Sequence, residues 1–261
     1  MSEIRPLLID DIPIVIHRVS PDRPWAWLAA GWRDFRQAQT AALTYGAIVA
    51  LLSLGLTLGL YQAQMGYLLL PLAAGFMLVG PILATGLYQI SRLLDRGRID
   101  SFSGSIDAWR QNPQILGMGV ILMLLLLAWV RIAFLIFALF FGATPPSWGL
   151  LVTGTLLSAD GIPFLIVGCL VGGALASLAF AISVVSIPML LDRDVNAVTA
   201  ILTSLAVVRE NLLVMIGWGA LITLFTAAGI ALGFLGLMLT YPLLGFASWH
   251  AYRDLVTLED D

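Results

Sequence analysis

Lysine is absent from this sequence, and cysteine occurs once. All thirteen basic residues are arginines, which excludes Schiff-base chemistry on a lysine and the lysine of a phosphate-binding P-loop. A single cysteine, Cys169, excludes an intrachain disulfide and a site built from several thiolates. Because Cys169 lies in an apolar run, we expect a small buried packing residue.

Charged residues are scarce as well, at 11% of the 261 residues against 60% hydrophobic ones. Soluble domains usually carry about 25% charged residues, so this chain has far more apolar surface than its few charges can cover in water. The composition predicts an all-α, polytopic bundle of membrane-spanning helices. Its formal net charge of −3 averages the membrane-embedded and the water-exposed parts of the chain, so it does not identify a partner. We expect the protein to contact membrane lipids and to bind no nucleic acid.

Long uncharged stretches define the candidate spans, since a membrane helix needs about 20 mostly apolar residues. The last stretch has no charge between Asn211 and Tyr252. As one helix it would be about 60 Å long, roughly twice a hydrocarbon core, so we divide it near Gly229, Gly233 and Gly236. The predicted spans are 40–60, 67–91, 114–141, 162–191, 211–231 and 233–252.

The arginines support six spans. Twelve of the thirteen fall in the N-terminal segment, in the connections after spans two and four, or at the C-terminal end. Arginine-rich connections stay in the cytoplasm, so both termini are predicted to be cytoplasmic. We divide the chain into an N-terminal tail (1–23), one membrane domain (24–255) and an acidic C-terminal tail (256–261).

An internal repeat accompanies these spans. The tetrapeptide Leu-Leu-Asp-Arg closes span two at 93–96 and span four at 190–193, and Tyr-Arg-Asp-Leu follows span six at 252–255. Amphipathic segments precede the odd-numbered spans, and those ahead of spans one and three carry aromatic residues. The chain therefore reads as three hairpins, each preceded by an amphipathic cytoplasmic helix at the membrane interface. The residues predicted to dock partners or headgroups there are Trp25, Trp32, Arg33, Arg36, Trp109, Arg110, Trp249 and His250.

Glycine spacing predicts close helix contacts. Gly168, Gly172 and Ala176 are four residues apart in span four, and Gly55 and Gly59 in span one. In lipid, small residues at this spacing let helix backbones approach each other.

Arg131 is the one charged residue far inside a span. A charge at the bilayer centre is costly, so such a residue is a functional candidate by default. Asp160, in the connection at 142–161, is its candidate partner in an intramembrane functional or structural pair. The alternative is that the Arg131 side chain extends to the outer headgroups. The sequence does not decide between these two interpretations.

The sequence offers few candidate catalytic or metal-binding residues. The two histidines, His17 and His250, both fall on the predicted cytoplasmic side, and a haem or copper centre would need more or better-placed ligands. No GxSxG, HExxH or P-loop motif occurs. We predict no catalytic residue, no metal ligand, no cofactor and no enzyme.

Four segments carry a family resemblance: Val-Ser at 19–20 through Pro-Trp at 24–25, Leu-Ala-Ala-Gly-Trp-Arg-Asp at 28–34, Pro-Met-Leu-Leu-Asp-Arg-Asp-Val at 188–195, and Trp-His-Ala-Tyr-Arg-Asp-Leu at 249–255. The chain resembles an uncharacterised bacterial family of integral membrane proteins with six predicted helices, a domain of unknown function. The resemblance implies a location in the bacterial inner membrane and no assigned catalytic residues. Members are sometimes labelled putative cytochrome c oxidase subunits; two histidines cannot ligate two haems and a copper ion, so only an accessory subunit fits.

Two functions follow as hypotheses. The first is a non-catalytic accessory, assembly or scaffold protein of an inner-membrane complex, respiratory or otherwise energy-converting. The second is a transporter or channel for a small or lipidic solute, which predicts a cavity at the axis of the three hairpins reaching Arg131.

Overall fold

The computed structural model describes residues 6–9, 12–97, 112–142 and 161–258. Ten helices of seven or more residues can be traced in that part of the chain. They are α1 (Arg23–Gln37), α2 (Gln39–Gln62), α3 (Leu69–Leu83), α4 (Thr85–Asp95), α5 (Pro113–Phe141), α6 (Gly161–Ser183), α7 (Ser186–Asp192), α8 (Ala197–Glu210), α9 (Leu212–Ala231) and α10 (Leu237–Leu255). A short 3-10 helix, Gly66–Leu68, precedes α3.

Five of the described helical segments are long and apolar enough to cross a membrane. They are Gln39–Gln62, Gly66–Asp95, Pro113–Phe141, Gly161–Asp192 and Leu212–Ala231. The predicted all-α membrane bundle is therefore confirmed. The predicted sixth span, α10, is not among the five because its second half carries Ser248, His250 and Arg253. The count of six stays a prediction.

Helix α10 forms the centre of the bundle. It packs against α1, α2, α4 and α9, and most of its residues from Tyr241 to Leu255 are buried. Two glycines let helices approach its backbone. A Cβ on Gly31 would lie 2.6 Å from the backbone nitrogen of Ala247, and one on Gly46 would lie 2.7 Å from the Cα of Met238. Because α10 is surrounded by protein, it tolerates polar side chains that lipid would not.

The hairpin of α9 and α10 ends well short of the far end of α2. Its turn lies where the sequence predicts it, with Gly233 and Phe234 both at positive φ. Met238, at the start of α10, meets Gly46, while residues 47–62 continue α2 for about 24 Å more at about 1.5 Å per residue. None of the α2 residues after Ala50 is buried. In the part of the chain that the structure describes, the outer half of α2 is therefore mostly exposed, as is expected of a helix surface that faces lipid.

Two of the predicted spans are broken helices. Ala84 separates α3 from α4, and Val184 and Val185 separate α6 from α7. At the second break the backbone N–H of Val185 donates to the hydroxyl of Ser204 at 3.2 Å, and that hydroxyl donates to the carbonyl of Ala181 at 2.7 Å. Helix α8 thus satisfies groups that the break leaves without a helical partner.

A three-stranded antiparallel sheet joins the two ends of the chain. Its strands are β1 (Pro6–Ile9), β2 (Ile12–Ile16) and β3 (Val256–Leu258), in the order β1-β2-β3. The sheet lies in segments predicted as tails. Ile14 of β2 is fully buried, which shows that this strand belongs to the core and explains why so short an apolar run is ordered.

Candidate functional site

The ends of α4, α7 and α10 converge, and with them the repeated acidic motifs. Asp192, whose side chain is 6% exposed, lies at the centre of the junction. Four guanidinium groups approach its carboxylate: Arg92 at 3.1 Å, Arg193 and Arg253 at 3.3 Å each, and Arg96 at 3.6 Å. The hydroxyl of Tyr252 donates to it at 3.1 Å. A buried carboxylate needs such partners to remain charged.

Each of the three repeated aspartates accepts a hydrogen bond from an aromatic side chain of another segment. The indole N–H of Trp249 donates to Asp95 at 2.7 Å. The indole N–H of Trp27 donates to Asp254 at 2.8 Å. At Asp192 the donor is the hydroxyl of Tyr252. The repeated aspartate therefore has the same structural role in each motif: it links the end of its helix to an aromatic side chain of another segment.

Asp254 is also held by arginine. The Nε of Arg23 donates to Asp254 at 2.7 Å, and a second guanidinium nitrogen contacts the other carboxylate oxygen. Burial alone would raise the pKa of Asp254, but the hydrogen bonds from Arg23 and Trp27 outweigh it and place the pKa below its usual value. Asp254 therefore remains ionised and fixes α1 to the end of α10.

The predicted docking residues divide into two groups. Trp25 (63% exposed) and Trp32 (41% exposed) lie on the open face of α1, where Arg33 and Arg36 are also exposed. Since α1 packs antiparallel along α10, this open face is the one it can offer to headgroups or a partner.

Trp249 and His250, in the other group, are bonded to acidic side chains of neighbouring helices. Trp249 is 1% exposed and bonded to Asp95; its prediction as a docking residue is corrected because α10 is enclosed by protein. His250 is bonded to Asp34 at 2.8 Å, and Asp34 also accepts from Ser91 at 2.6 Å. Trp109 and Arg110 lie outside the described residues.

Arg131 is exposed on the outer surface of α5, about 15 Å before the end of that helix. Its neighbours Trp129 and Val130 line the interior cavity described next, but Arg131 does not. This position fits a side chain that extends along the lipid-facing surface. The predicted partner, Asp160, lies outside the described residues.

A cavity of about 1160 Å³ lies inside the membrane-spanning part of the bundle. Its walls are α3, α5 and α6 on one side and α9 and α10 on the other. From Tyr67 to Tyr88 it extends about 30 Å along the helices, close to the thickness of a hydrocarbon core. None of the described residues that line it is charged.

Three of the hydroxyl groups in the lining are hydrogen-bonded within the protein. Thr223 donates to the carbonyl of Gly219 at 2.8 Å, Ser248 to that of Leu244 at 2.8 Å, and Tyr241 to that of Gly80 at 2.9 Å. Serine and threonine commonly return hydrogen bonds to their own helix in this way. The cavity is therefore more apolar than its residue types suggest.

The cavity exists because α6 and α9 face each other with small residues and make few direct contacts. Only Gly161, Ala179 and Ser183 are buried in α6. A Cβ added to Gly168 or Gly173, both in the lining, would meet nothing within 4 Å. Cys169 is exposed and lines the cavity, which corrects its prediction as a buried packing residue.

The predicted close packing of helices at the spaced small residues is also corrected. The space beside Gly172 is occupied by the side chain of Trp129 and not by a helix backbone, since a Cβ on Gly172 would lie 2.8 Å from the indole ring. Trp129 in turn donates from its indole N–H to the carbonyl of Pro71 at 2.7 Å, so it joins α3, α5 and α6 at the cavity wall. At Gly55 and Gly59 a Cβ would meet nothing within 4 Å.

Within the described residues no group of three or more histidine, cysteine or acidic side chains is placed to hold a metal ion. Residues 69–192 match the family described as "Predicted integral membrane protein (DUF2189)". The match covers α3 to α7 and confirms, for that part of the chain, the resemblance to an uncharacterised integral membrane family. No curated protein and no solved structure matches the chain. The protein is a multi-pass integral membrane protein.

Proposed function

We propose that this protein binds a lipidic molecule inside the membrane, as a carrier for a lipidic solute. The observation that carries the proposal is the cavity of about 1160 Å³ between α6 and α9, which is lined by uncharged side chains in the part of the chain that the structure describes. It is the lipidic form of the transporter hypothesis, without the predicted role for Arg131.

The lining favours an acyl or isoprenoid chain over a water-soluble solute. Ion and polar-solute pathways expose carbonyl groups, hydroxyls or charges to their cargo. Here the hydroxyls of Thr223, Ser248 and Tyr241 are bonded to backbone carbonyls. A hydrocarbon chain needs no polar partner, and a depth of about 30 Å accommodates one in an extended form.

The position of the cavity gives a lipid direct access. Helices α6 and α9 stand apart, and the hairpin of α9 and α10 stops short of the outer half of α2. A molecule can therefore enter sideways from the bilayer without crossing water. We further propose the inner membrane of a bacterium, with the arginine-rich end and both termini in the cytoplasm, on the strength of the arginine distribution.

Filling the cavity tests this function. Gly168→Phe places a ring in the lining at a position where a Cβ meets nothing within 4 Å. Gly217→Phe is the matched control, because Gly217 is an exposed glycine of α9 that is not in the lining and whose Cβ would also meet nothing within 4 Å. Native mass spectrometry after mild detergent extraction measures the lipid retained per protein.

We expect wild type and Gly217→Phe to retain the same lipid, and Gly168→Phe to retain several-fold less at an unchanged melting temperature. Equal retention in all three proteins, or no retained lipid in wild type, would reject a ligand in this cavity.

A second candidate is the non-catalytic accessory, assembly or scaffold role in an inner-membrane complex. The open face of α1, with Trp25, Trp32, Arg33 and Arg36, favours it because aromatic and arginine side chains are enriched at protein interfaces. Pull-down in mild detergent with the double variant Trp25→Ala, Trp32→Ala should lose partners that wild type recovers. Recovery of the free protein alone from wild type would count against it. In either role we propose that the protein is not an enzyme.

A further inference from the structure

A second, polar pocket lies at the arginine-rich end, outside the membrane-spanning part of the bundle. Its volume is about 510 Å³, within the range typical of small-molecule sites. It is formed where the segment after β2 passes the end of α10. The lining residues are His17, Arg18, Val19, Ser20, Arg23, Arg253, Asp254 and Thr257.

Positive charge dominates this pocket. Among the described lining residues, three carry a guanidinium group, Arg18, Arg23 and Arg253, and one carries a carboxylate, Asp254. Asp254 is already engaged by Arg23 and by Trp27. The pocket therefore has more cationic groups than its own acid can balance, which favours an anionic ligand.

The arginines are held in different ways, and each keeps N–H groups for a ligand. Arg23 is fixed by two contacts to Asp254. Arg18 pairs with Glu210 through Nε and one Nη, but both partners are well exposed, so this pair contributes little to stability and can open for a ligand. Arg253 uses one Nη on Asp192 at 3.3 Å, a carboxylate that three other arginines approach.

We propose that this pocket binds a phosphate group. Guanidinium groups bind phosphate through paired N–H···O hydrogen bonds, and several converging arginines are the usual arrangement for such a group. Phosphate in this position comes from one of two sources, the headgroup of an anionic phospholipid or a soluble phosphate compound. Basic pockets at the cytoplasmic ends of membrane helices commonly hold lipid headgroups. The site does not depend on the intramembrane cavity being occupied.

Binding measurements with two probes distinguish the sources. The full-length protein in a neutral detergent is titrated with dihexanoyl phosphatidylglycerol and, separately, with inorganic pyrophosphate, and dihexanoyl phosphatidylcholine serves as the neutral-headgroup reference. Binding is followed by thermophoresis at two salt concentrations. Because the contacts are charge-assisted, affinity for the bound probe should fall as salt rises.

The variants are Arg18→Gln and Arg253→Gln, with Arg209→Gln as the control, an exposed arginine of α8 outside the pocket. We expect each pocket variant to weaken binding about tenfold, the order of one charge-assisted hydrogen bond, and the control to match wild type. Arg18 is mostly exposed, so Arg18→Gln should fold normally.

Preference for phosphatidylglycerol over both other probes assigns the site to a lipid headgroup. Preference for pyrophosphate assigns it to a soluble phosphate compound. Equal binding of phosphatidylcholine and phosphatidylglycerol without pyrophosphate binding, or equal loss in the Arg209→Gln control, overturns the proposal.

Discussion

Replacing Asp192 with asparagine removes one negative charge from a position that four guanidinium groups approach. The side chain keeps its size, so the change tests charge and hydrogen bonding without opening a cavity. The amide oxygen can still accept hydrogen bonds, but the NH2 group replaces an acceptor oxygen with two donors, beside arginines that have only donors to offer. Asp192→Asn should therefore destabilise the junction of α4, α7 and α10.

The size of the expected loss of stability follows from how deeply the charged groups are buried. The carboxylate of Asp192 is 6% exposed and the side chain of Arg92 is 14% exposed, whereas Arg96 and Arg253 are about half exposed at 55% and 44%. Removing one partner of a buried ion pair costs about 3–5 kcal/mol. Because the exposed arginines can be hydrated after the substitution, we expect the free energy of unfolding to fall by an amount near the lower end of this range, about 3 kcal/mol. For a chain of this size that corresponds to roughly 6–12 °C in Tm.

Thermal unfolding in detergent, followed by tryptophan fluorescence, measures this loss. Asp194→Asn is the matched control, two residues away and exposed; its Tm should stay within about 2 °C of wild type, as is usual for an exposed substitution. If the two variants melt at the same temperature, the junction at Asp192 does not stabilise the bundle and the reasoning fails.

Three further predictions concern other parts of the molecule. Asp254 has a pKa below its usual value in the folded protein, so its stabilising contribution is complete above about pH 4 and decreases as the pH falls through the folded pKa. The Tm difference between wild type and Asp254→Asn should accordingly be constant from pH 7 to pH 5 and shrink below pH 4; a difference that grows on acidification contradicts the sign. Gly46→Leu should prevent folding or lower the Tm by more than 10 °C, since its Cβ would overlap the backbone of Met238, whereas Gly55→Leu, with open space around it, should melt like wild type. Cys169 should react in the native protein with a membrane-permeant maleimide, because it lines the cavity; labelling that requires denaturation would contradict its exposure.

The arginine distribution illustrates how far sequence reasoning reaches. It depends only on which connections carry charge, so it predicts on which side of the membrane each connection lies. It does not measure how deeply a hairpin enters. The hairpin of α9 and α10 returns to its starting side whether it crosses fully or turns back early, and the position of Gly46 against Met238 comes from packing between distant parts of the chain.

Hydropathy has a related limit. It separates helices that face lipid from segments that face water, and it identified four spans and the first half of the last charge-free stretch. A helix enclosed by other helices contacts neither lipid nor water, so its hydropathy does not predict its environment. Around α10 the neighbours supply hydrogen-bond partners, as Asp95 does for Trp249, so aromatic and polar residues there look interfacial in the sequence while being buried in the bundle.

By itself, the sequence determined a multi-pass helical membrane protein, the grouping of nearly all arginines, and the repeated acidic motif that closes the even-numbered spans, because each is written in local composition and spacing. The tertiary structure alone decided that the three acidic motifs meet, that Arg131 faces outward, and that α6 and α9 stand apart around an apolar cavity. Those features depend on which helices pack together, and in a chain made almost entirely of apolar helices the apolar residues are too alike to specify their partners.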